Sequence, residues 1–126
     1  MNITQIKIKV LGGALNGATF VFSEPTECKV GRGPDCTIRV PETFENTDVS
    51  RHHCYFDIDP PYLWLGDLDS TNGTYINGRK IHRSKDLLEL VHDGDVVKVG
   101  NVELSIKIDD DPAEVGIVQS RSNWID

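Results

Sequence analysis

The chain has 126 residues, of which 38% are hydrophobic and 26% charged, a composition typical of one globular domain with its own core. Its net charge of −7 argues against a nucleic-acid partner, because phosphate backbones attract basic surfaces. No apolar run approaches the roughly 20 residues that span a bilayer, and the N-terminal MNITQIKIKV lacks the apolar core of a signal peptide, so we expect no membrane partner.

Short runs of β-favouring residues follow one another along the chain. In the first run, Ile6, Ile8 and Val10 alternate with lysines, which is the period-two pattern of a half-buried strand. The later runs are, in order, TFVF (19–22), CKV (28–30), TIRV (37–40), CYFDID (54–59), YLWLGDL (62–68), TYI (74–76), RKI (79–81), VVKVG (96–100) and VELSIKI (102–108).

Turn-forming residues separate these runs. Asp59-Pro60-Pro61 predicts one hairpin, Asp93-Gly94 a turn, and Gly100-Asn101 another hairpin. Asn77-Gly78 is the strongest hairpin signal, because a type I′ turn needs positive φ at both central residues and Asn and Gly tolerate it. About eleven short strands, turns roughly every 8–12 residues and no long helix predict an all-β fold, an antiparallel β-sandwich.

The composition changes after Ile108. Residues 109–126 contain five acidic residues and one basic residue, and their Asp run and Pro112 end the last predicted strand. We therefore assign a domain to residues 1–108 and an acidic tail or linker, leading toward a possible further domain, to residues 109–126. Trp124 and Ile125 suggest that the tail packs on something or that the natural chain continues.

The cysteines give no metal pattern. Cys28, Cys36 and Cys54 are separated by eight and eighteen residues, which fits no zinc motif. Although His52 and His53 precede Cys54, we expect neither a metal nor a cofactor. Free thiols are typical of a reducing compartment, so we expect a cytoplasmic location.

Three polar loops adjoin predicted strands and carry anion-binding groups. They are VGRGPDC with Arg32, VSRHHC with Ser50 and Arg51, and DSTNGTYING with Thr71 and Asn72. Arginine forks match phosphate oxygens, hydroxyls donate hydrogen bonds, and an asparagine amide can both donate to and accept from a peptide backbone. Because the loops of a sandwich cluster at its ends, these groups could form one anion site.

Taken together, the motifs resemble the forkhead-associated (FHA) domain over roughly residues 4–108. The matching residues are Gly31-Arg32, Ser50-Arg51-His52-His53, Ser70-Thr71-Asn72-Gly73-Thr74 and Asn77-Gly78, with DCTIRV and DGDVVKVG in the same order. The resemblance implies an eleven-stranded β-sandwich that binds phosphothreonine in partner proteins or peptides. It further implies a non-catalytic module of Ser/Thr-kinase signalling.

The resemblance also implies roles for single residues. Arg32 is expected to pair with the phosphate, Ser50 to donate its hydroxyl to a phosphate oxygen, and Arg51 to add a phosphate contact. Thr71 is expected to hold the phosphate or the threonine, and Asn72 the peptide backbone. His53 is expected to brace the loops without touching ligand. Gly31, Gly73 and Gly78 are expected to serve the shape of the backbone, and Asn77-Gly78 the hairpin behind the site.

Two charged segments bear on ligand preference. The loop PETFENTD (41–48) is acidic, which disfavours an acidic residue after the phosphothreonine. The run RKIHRSK (79–85) is either a solvated hairpin or a surface that meets acidic residues flanking the phosphothreonine, in which case Arg79 and Lys80 would contribute.

Two other functions remain open. The acidic tail and its apolar residues allow a phosphate-independent interaction or oligomerisation domain, although we take a monomer as the default. A hydrolase using Ser50 and His53 is the second, but these residues lie only three apart and no G-x-S-x-G elbow exists. We therefore expect no enzymatic activity.

Overall fold

The computed structural model of the chain describes residues 4–43 and 48–109. The middle of the acidic loop and nearly all of the proposed tail lie outside these residues. The hypotheses on Trp124, Ile125 and the boundary at residue 108 therefore stay predictions. In the described part, no helix is long and apolar enough to cross a membrane.

The described residues form eleven strands, ten of which match the predicted runs. The strands are β1 (Ile6–Leu11), β2 (Thr19–Phe22), β3 (Thr26–Gly31), β4 (Ile38–Arg39), β5 (Cys54–Asp59), β6 (Tyr62–Asp67), β7 (Thr74–Ile76), β8 (Arg79–Lys80), β9 (Glu89–Val91), β10 (Val96–Val99) and β11 (Val102–Ile108). Strand β9 was not predicted, because the apolar run that contains it has no clear period.

Two sheets pack face to face, which confirms the β-sandwich. One has the order β2-β1-β11-β10-β7-β8 and the other β4-β3-β5-β6-β9. The pairs are antiparallel except β3 and β4, which run parallel with Val30 opposite Ile38. The sequence did not reveal this exception, because the partner of a two-residue strand is set by tertiary contacts.

Alternating residues of both sheets form the core. On β1, Ile6, Ile8 and Val10 are at most 1% exposed, and Ile6 and Ile8 pair across the sheet with Ile108 and Ile106 of β11. Because a shift of one residue would turn this whole face to solvent, the apolar pattern fixes the register. The register in turn fixes where each connecting loop starts and ends.

The three cysteines are free thiols in the interior. Cys28 and Cys54 belong to the core cluster, and Cys36 lies in the β3–β4 loop. Burial raises the pKa of the Cys28 thiol to about 12 and also raises the pKa of Cys54. Both therefore stay protonated at neutral pH and behave as small apolar side chains.

Asn77 and Gly78 close the β7–β8 hairpin. Their φ angles are 50° and 85°, so both central residues have the positive φ that a type I′ turn requires. Asn77 also joins the hairpin to the neighbouring strand, because its Oδ1 accepts from the Val96 N–H at 2.9 Å and its Nδ2 donates to Asp95 Oδ1 at 2.9 Å.

Candidate functional site

Four consecutive carbonyl groups of the β4–β5 loop hold the neighbouring loops. The carbonyl oxygens of Asp48 and Val49 accept from Asn72 Nδ2 at 3.0 Å and from Arg32 Nε. Those of Ser50 and Arg51 accept from the backbone N–H groups at positions 32 and 33, at 3.1 and 2.8 Å. The segment 48–51 thus joins the β3–β4 loop on one side and the β6–β7 loop on the other.

Arg32 is oriented before any ligand arrives. Its Nε donates to the Val49 carbonyl oxygen, and its side chain is only 26% exposed. This bond uses one donor of the guanidinium and leaves the two terminal nitrogens for an anion. Since an oriented side chain loses little rotamer entropy on binding, Arg32 is well suited to pair with a phosphate.

Ser50 and Thr71 connect two loops at the rim of the site. The Thr71 N–H donates to Ser50 Oγ at 3.1 Å. Because the Ser50 oxygen acts as an acceptor in this bond, its own proton can be donated elsewhere, and among the described residues no acceptor takes it. Both hydroxyls therefore lie beside the arginine-bearing loops with donor capacity remaining.

The buried His53 side chain joins the same two loops through hydrogen bonds. Its Nδ1 accepts from the Ser50 N–H at 3.0 Å, and its Nε2 lies 2.8 Å from the Gly73 carbonyl oxygen. Because Nδ1 is an acceptor, the proton resides on Nε2 and is donated to Gly73. Burial lowers the pKa of His53, which favours this neutral form.

The same bonds bear on the hydrolase hypothesis. His53 faces the backbone amide of Ser50 rather than its hydroxyl, and its other ring nitrogen is occupied by Gly73. A nucleophilic serine needs a basic nitrogen within hydrogen-bond reach of its Oγ. His53 does not provide one in this arrangement.

The side-chain amide of Asn72 makes one hydrogen bond to the main chain and keeps further hydrogen-bonding capacity. One amide hydrogen is donated to the Asp48 carbonyl oxygen at 3.0 Å. Asn72 is exposed, and its second amide hydrogen and its Oδ1 atom remain for other partners. With this one donor and one acceptor, the amide can pair with both the C=O and the N–H of a peptide unit. The next residue, Gly73, has a φ of 86°, a left-handed backbone conformation that favours glycine.

A buried carboxylate shapes the β6–β7 loop, and sequence reasoning missed it. Asp67 is 1% exposed, and its Oδ1 accepts from Ser70 Oγ and Thr74 Oγ1, both at 2.6 Å. Its Oδ2 accepts from the Ser70 N–H at 3.0 Å, while Ser70 Oγ accepts from the Gly73 N–H at 3.0 Å. An acidic residue three positions before a Ser in a turn-rich segment is the local signal that would have identified it.

Glu42 contacts both arginines of the site. Its Oε1 forms an ion pair with Arg51 Nη1 and lies 3.7 Å from Arg32 Nη1. The carboxylate is therefore positioned between the two guanidinium groups. Sequence reasoning noted the acidic loop but did not connect Glu42 with these arginines, which are nine and ten residues away along the chain.

The basic run after the hairpin divides into two parts. Arg79 is engaged by Glu89 through two bonds of 3.0 and 2.6 Å, which raise the pKa of Arg79 and lower that of Glu89. Lys80 and Arg83 instead reach the β6–β7 loop. A β-carbon on Gly73 would lie 2.5 Å from Lys80 Cε, and Arg83 Nη2 donates to the Thr71 carbonyl oxygen at 3.3 Å.

Asp35, Cys36 and His52 are grouped behind the arginine loops. Their donor atoms lie within 4.8 Å of one another. Asp35 accepts from Lys29 Nζ at 3.0 Å and lies 2.7 Å from His52 Nε2, and these two contacts hold the pKa of Asp35 well below its usual range. The carboxylate thus has partners within the chain, so we interpret the group as a bracing ion-pair network.

A surface cavity of about 490 Å³ adjoins the anion-binding loops. Asn72 is the link, because it lines the cavity while its neighbour Thr71 contacts Ser50. The lining residues are Asp48, Asn72, Gly73, Tyr75, Gly78, Lys98 and Gly100. Such a cavity can accept the chain of a ligand whose anionic group binds the arginines.

Comparisons with known proteins agree with this architecture. Residues 28–100, more than half of the chain, match the family described as FHA domain. The chain is 36% identical over 104 residues to the ABC transporter ATP-binding/permease protein Rv1747 of Mycobacterium tuberculosis, covering 82% of this chain and only 10% of that relative.

Solved structures give the same result. One, from a study of phosphothreonine-dependent FHA domain interactions, has a TM-score of 0.67 at 30% identity and covers 82% of this chain and 95% of its own. A second is the FHA domain of FhaA, a protein of M. tuberculosis, complexed with the intracellular domain of Rv3910. It has a TM-score of 0.66 at 30% identity and covers 81% of this chain and 99% of its own.

Proposed function

Because the chain belongs to the forkhead-associated (FHA) family, we propose that it binds phosphothreonine-containing segments of partner proteins without catalysing their modification. The observation that carries this proposal is the joining of three loops by hydrogen bonds, since these bonds bring Arg32, Ser50, Arg51, Thr71 and Asn72 to one rim. The family supports the ligand class, and the geometry is compatible with the role proposed for each residue.

The phosphate is expected to bind at the arginine pair. A phosphothreonine carries about −1.5 to −2 charges and three strong acceptor oxygens. Arg32 and Arg51 offer guanidinium donors, and the Ser50 hydroxyl offers another that the Thr71 N–H bond leaves available. Hydrogen bonds to ionised groups are shorter and stronger than neutral ones, so this set favours a phosphate over a neutral side chain.

The peptide backbone is expected to pass Asn72. One of its amide hydrogens is donated to the Asp48 carbonyl oxygen, which leaves the other donor and the acceptor available to a peptide unit. Thr71, held between Ser50 and Arg83, would contact the phosphate or the threonine side chain. Ligand residues next to the phosphothreonine would then enter the cavity that Asn72 lines.

We further propose a cytoplasmic signalling role, a monomeric domain and a phosphorylated protein as the partner. The chain spans only 10% of the length of its relative Rv1747, so the function of any larger protein that contains it is a separate proposal. The alternative of a phosphate-independent or oligomerising domain depends on the tail, most of which lies outside the described residues.

The test is a titration of the domain with a phosphothreonine peptide selected from an oriented library, alongside its unphosphorylated and phosphoserine versions. We expect binding only with phosphate, and a loss of about 30-fold in affinity or more for Arg32→Ala, because bonds to charged groups contribute roughly 1.5–3 kcal/mol each. Arg79→Ala is the matched control, since Arg79 pairs with Glu89. Equal binding with and without phosphate would contradict the proposal.

A further inference from the structure

We propose that the Glu42 carboxylate is an internal competitor for the phosphate, which occupies the arginine pair in the free domain and leaves it when the ligand binds. This inference rests on the proposed function and adds a regulating residue to it. It also gives the acidic loop a defined role, because Glu42 belongs to that loop and contacts the arginines directly.

The geometry supports direct competition. One oxygen of Glu42 pairs with Arg51 Nη1 and is 3.7 Å from Arg32 Nη1, so it lies where an anion shared by both arginines would be placed. Among the described residues, Glu42 is the sole acceptor for the Arg51 guanidinium. Arg32, in contrast, is also anchored to the Val49 carbonyl oxygen and stays oriented if Glu42 leaves.

The charges make the two occupants mutually exclusive. A carboxylate and a phosphate beside the same two guanidinium groups would repel each other at short range. The phosphate has the advantage in this exchange, because it carries up to two charges and three acceptors and also meets the Ser50 hydroxyl. Glu42 is 39% exposed at its side chain, so it can turn toward water when displaced.

Such competition sets a threshold for binding. An internal competitor lowers the affinity of every anion by the same factor, namely the fraction of domains whose arginines are unoccupied. Strong ligands still saturate the site at modest concentration, whereas the already low occupancy of a weak anion, such as a carboxylate of a partner protein, falls by about this factor. Exposed ion pairs change an equilibrium constant by a factor of about 1.5 to 5, so we expect Glu42 to act within about that range.

The experiment compares Glu42→Gln with wild type by stopped-flow and calorimetric titration of one phosphothreonine peptide at about 0.15 M salt, where the Debye length is about 8 Å. We expect affinity higher by a factor of about 1.5 to 5, through faster association at an unchanged dissociation rate. Asp69→Asn is the matched control, because it removes one exposed acidic charge from the β6–β7 loop and Asn tolerates the φ of 57° there.

The opposite sign would overturn the proposal. If Glu42 instead orients Arg51 for the ligand, Glu42→Gln binds more weakly and dissociates faster. An increase no larger than that of Asp69→Asn would also overturn it, because the effect would then be long-range charge alone.

A second measurement separates this inference from the proposed function. If wild type binds no phosphothreonine peptide, the proposed function fails, and the competition is tested with inorganic phosphate. We then expect the side-chain NMR signals of Arg51 to respond at lower phosphate concentration in Glu42→Gln than in wild type. Equal responses, or none in either protein, would refute the role of Glu42.

Discussion

A β-carbon on Gly31 would lie 2.2 Å from the carbonyl oxygen of Arg51. The absence of a side chain at the end of β3 therefore allows the β4–β5 loop to approach closely enough for backbone bonds. These bonds bring the main chain at positions 32 and 33 against the main chain at positions 50 and 51. Glycine is required at position 31 because a side chain would collide with the Arg51 carbonyl group. Its φ is not in the left-handed region, so backbone conformation is not the reason.

Gly31→Ala is expected to lower the free energy of unfolding by about 2–3 kcal/mol, because the obstructing atoms are backbone and cannot move aside cheaply. Gly78→Ala is the comparison. Gly78 has a φ of 85° but no atom within 4 Å of its β-carbon position, so only conformational strain of about 1 kcal/mol is expected. Urea unfolding of both variants checks this order, and equal losses would contradict it.

His53 is expected to make the domain less stable in mild acid. Burial lowers its folded-state pKa below the ordinary value of 6.5, so the unfolded state binds more protons between the two pKa values. The stability that neutral His53 contributes is thus fully present above about pH 6.5 and is lost as the pH falls through the folded pKa.

His53→Gln removes this titration. We expect thermal unfolding of the ligand-free variant to vary less than that of wild type between about pH 7 and pH 5, although the variant is less stable at neutral pH. Comparing the two proteins at each pH removes the contribution of the acidic residues they share. Identical pH profiles would contradict the expectation.

Asp67→Asn is expected to destabilise the domain by about 1–3 kcal/mol, the usual cost of leaving a buried polar group unsatisfied. Two hydroxyls donate to Oδ1 and the Ser70 N–H donates to Oδ2, so an amide can satisfy only one side of this network. Chemical denaturation measures the loss. Asp57→Asn, on the neighbouring strand β5, is a control whose side chain is not buried.

The two Asn-Gly pairs are expected to differ in their effects. Asn72→Ala removes the donor to the Asp48 carbonyl oxygen from an exposed residue, so we expect weaker phosphopeptide binding with a change in stability below about 1 kcal/mol. Asn77→Asp places a carboxylate where Nδ2 now donates to Asp95 Oδ1 at 2.9 Å, so we expect a loss of about 1–2 kcal/mol in stability with binding retained. Calorimetric binding and unfolding curves of both variants test this division.

Charge reversal in the basic run should act through Arg83. Arg83 Nη2 donates to the Thr71 carbonyl oxygen, whereas Arg79 is paired with Glu89. We therefore expect Arg83→Glu to weaken the binding of peptides with acidic residues beside the phosphothreonine more than the binding of peptides with neutral residues there. Arg79→Glu should reduce the affinity for both kinds of peptide about equally. A selective effect of Arg79→Glu would favour the hypothesis that Arg79 meets acidic residues flanking the phosphothreonine.

The sequence predicted those features that short-range patterns encode. Ile6, Ile8 and Val10 predicted a strand because one of its faces is buried, and Asn77-Gly78 predicted its turn because few residues tolerate the required φ. The parallel pairing of β3 and β4 was not predictable in this way, because β4 has only two residues and its partner is set by tertiary contacts.

The same difference between short-range patterns and tertiary contacts applies to the candidate site. Arg32 and Ser50 were recognised from motifs, and hydrogen bonds join their loops. Asp67 was missed because its importance arises only when the Thr74 hydroxyl, seven positions away around a turn, converges on it together with Ser70. Glu42 was missed because no local pattern indicates that it meets two arginines in space.

The four consecutive carbonyl groups of the β4–β5 loop join the loops of the site through backbone atoms, so the joining does not depend on the side chains of this segment. Every residue has a carbonyl oxygen, so the bonds that segment 48–51 accepts survive most substitutions of its side chains. Position 48 is exposed and is not one of the proposed phosphate contacts, so randomising it would diversify the rim while the loops stay joined. The domain is therefore a suitable starting point for selecting binders with new sequence preferences, provided that Gly31 and the buried Val49 are kept.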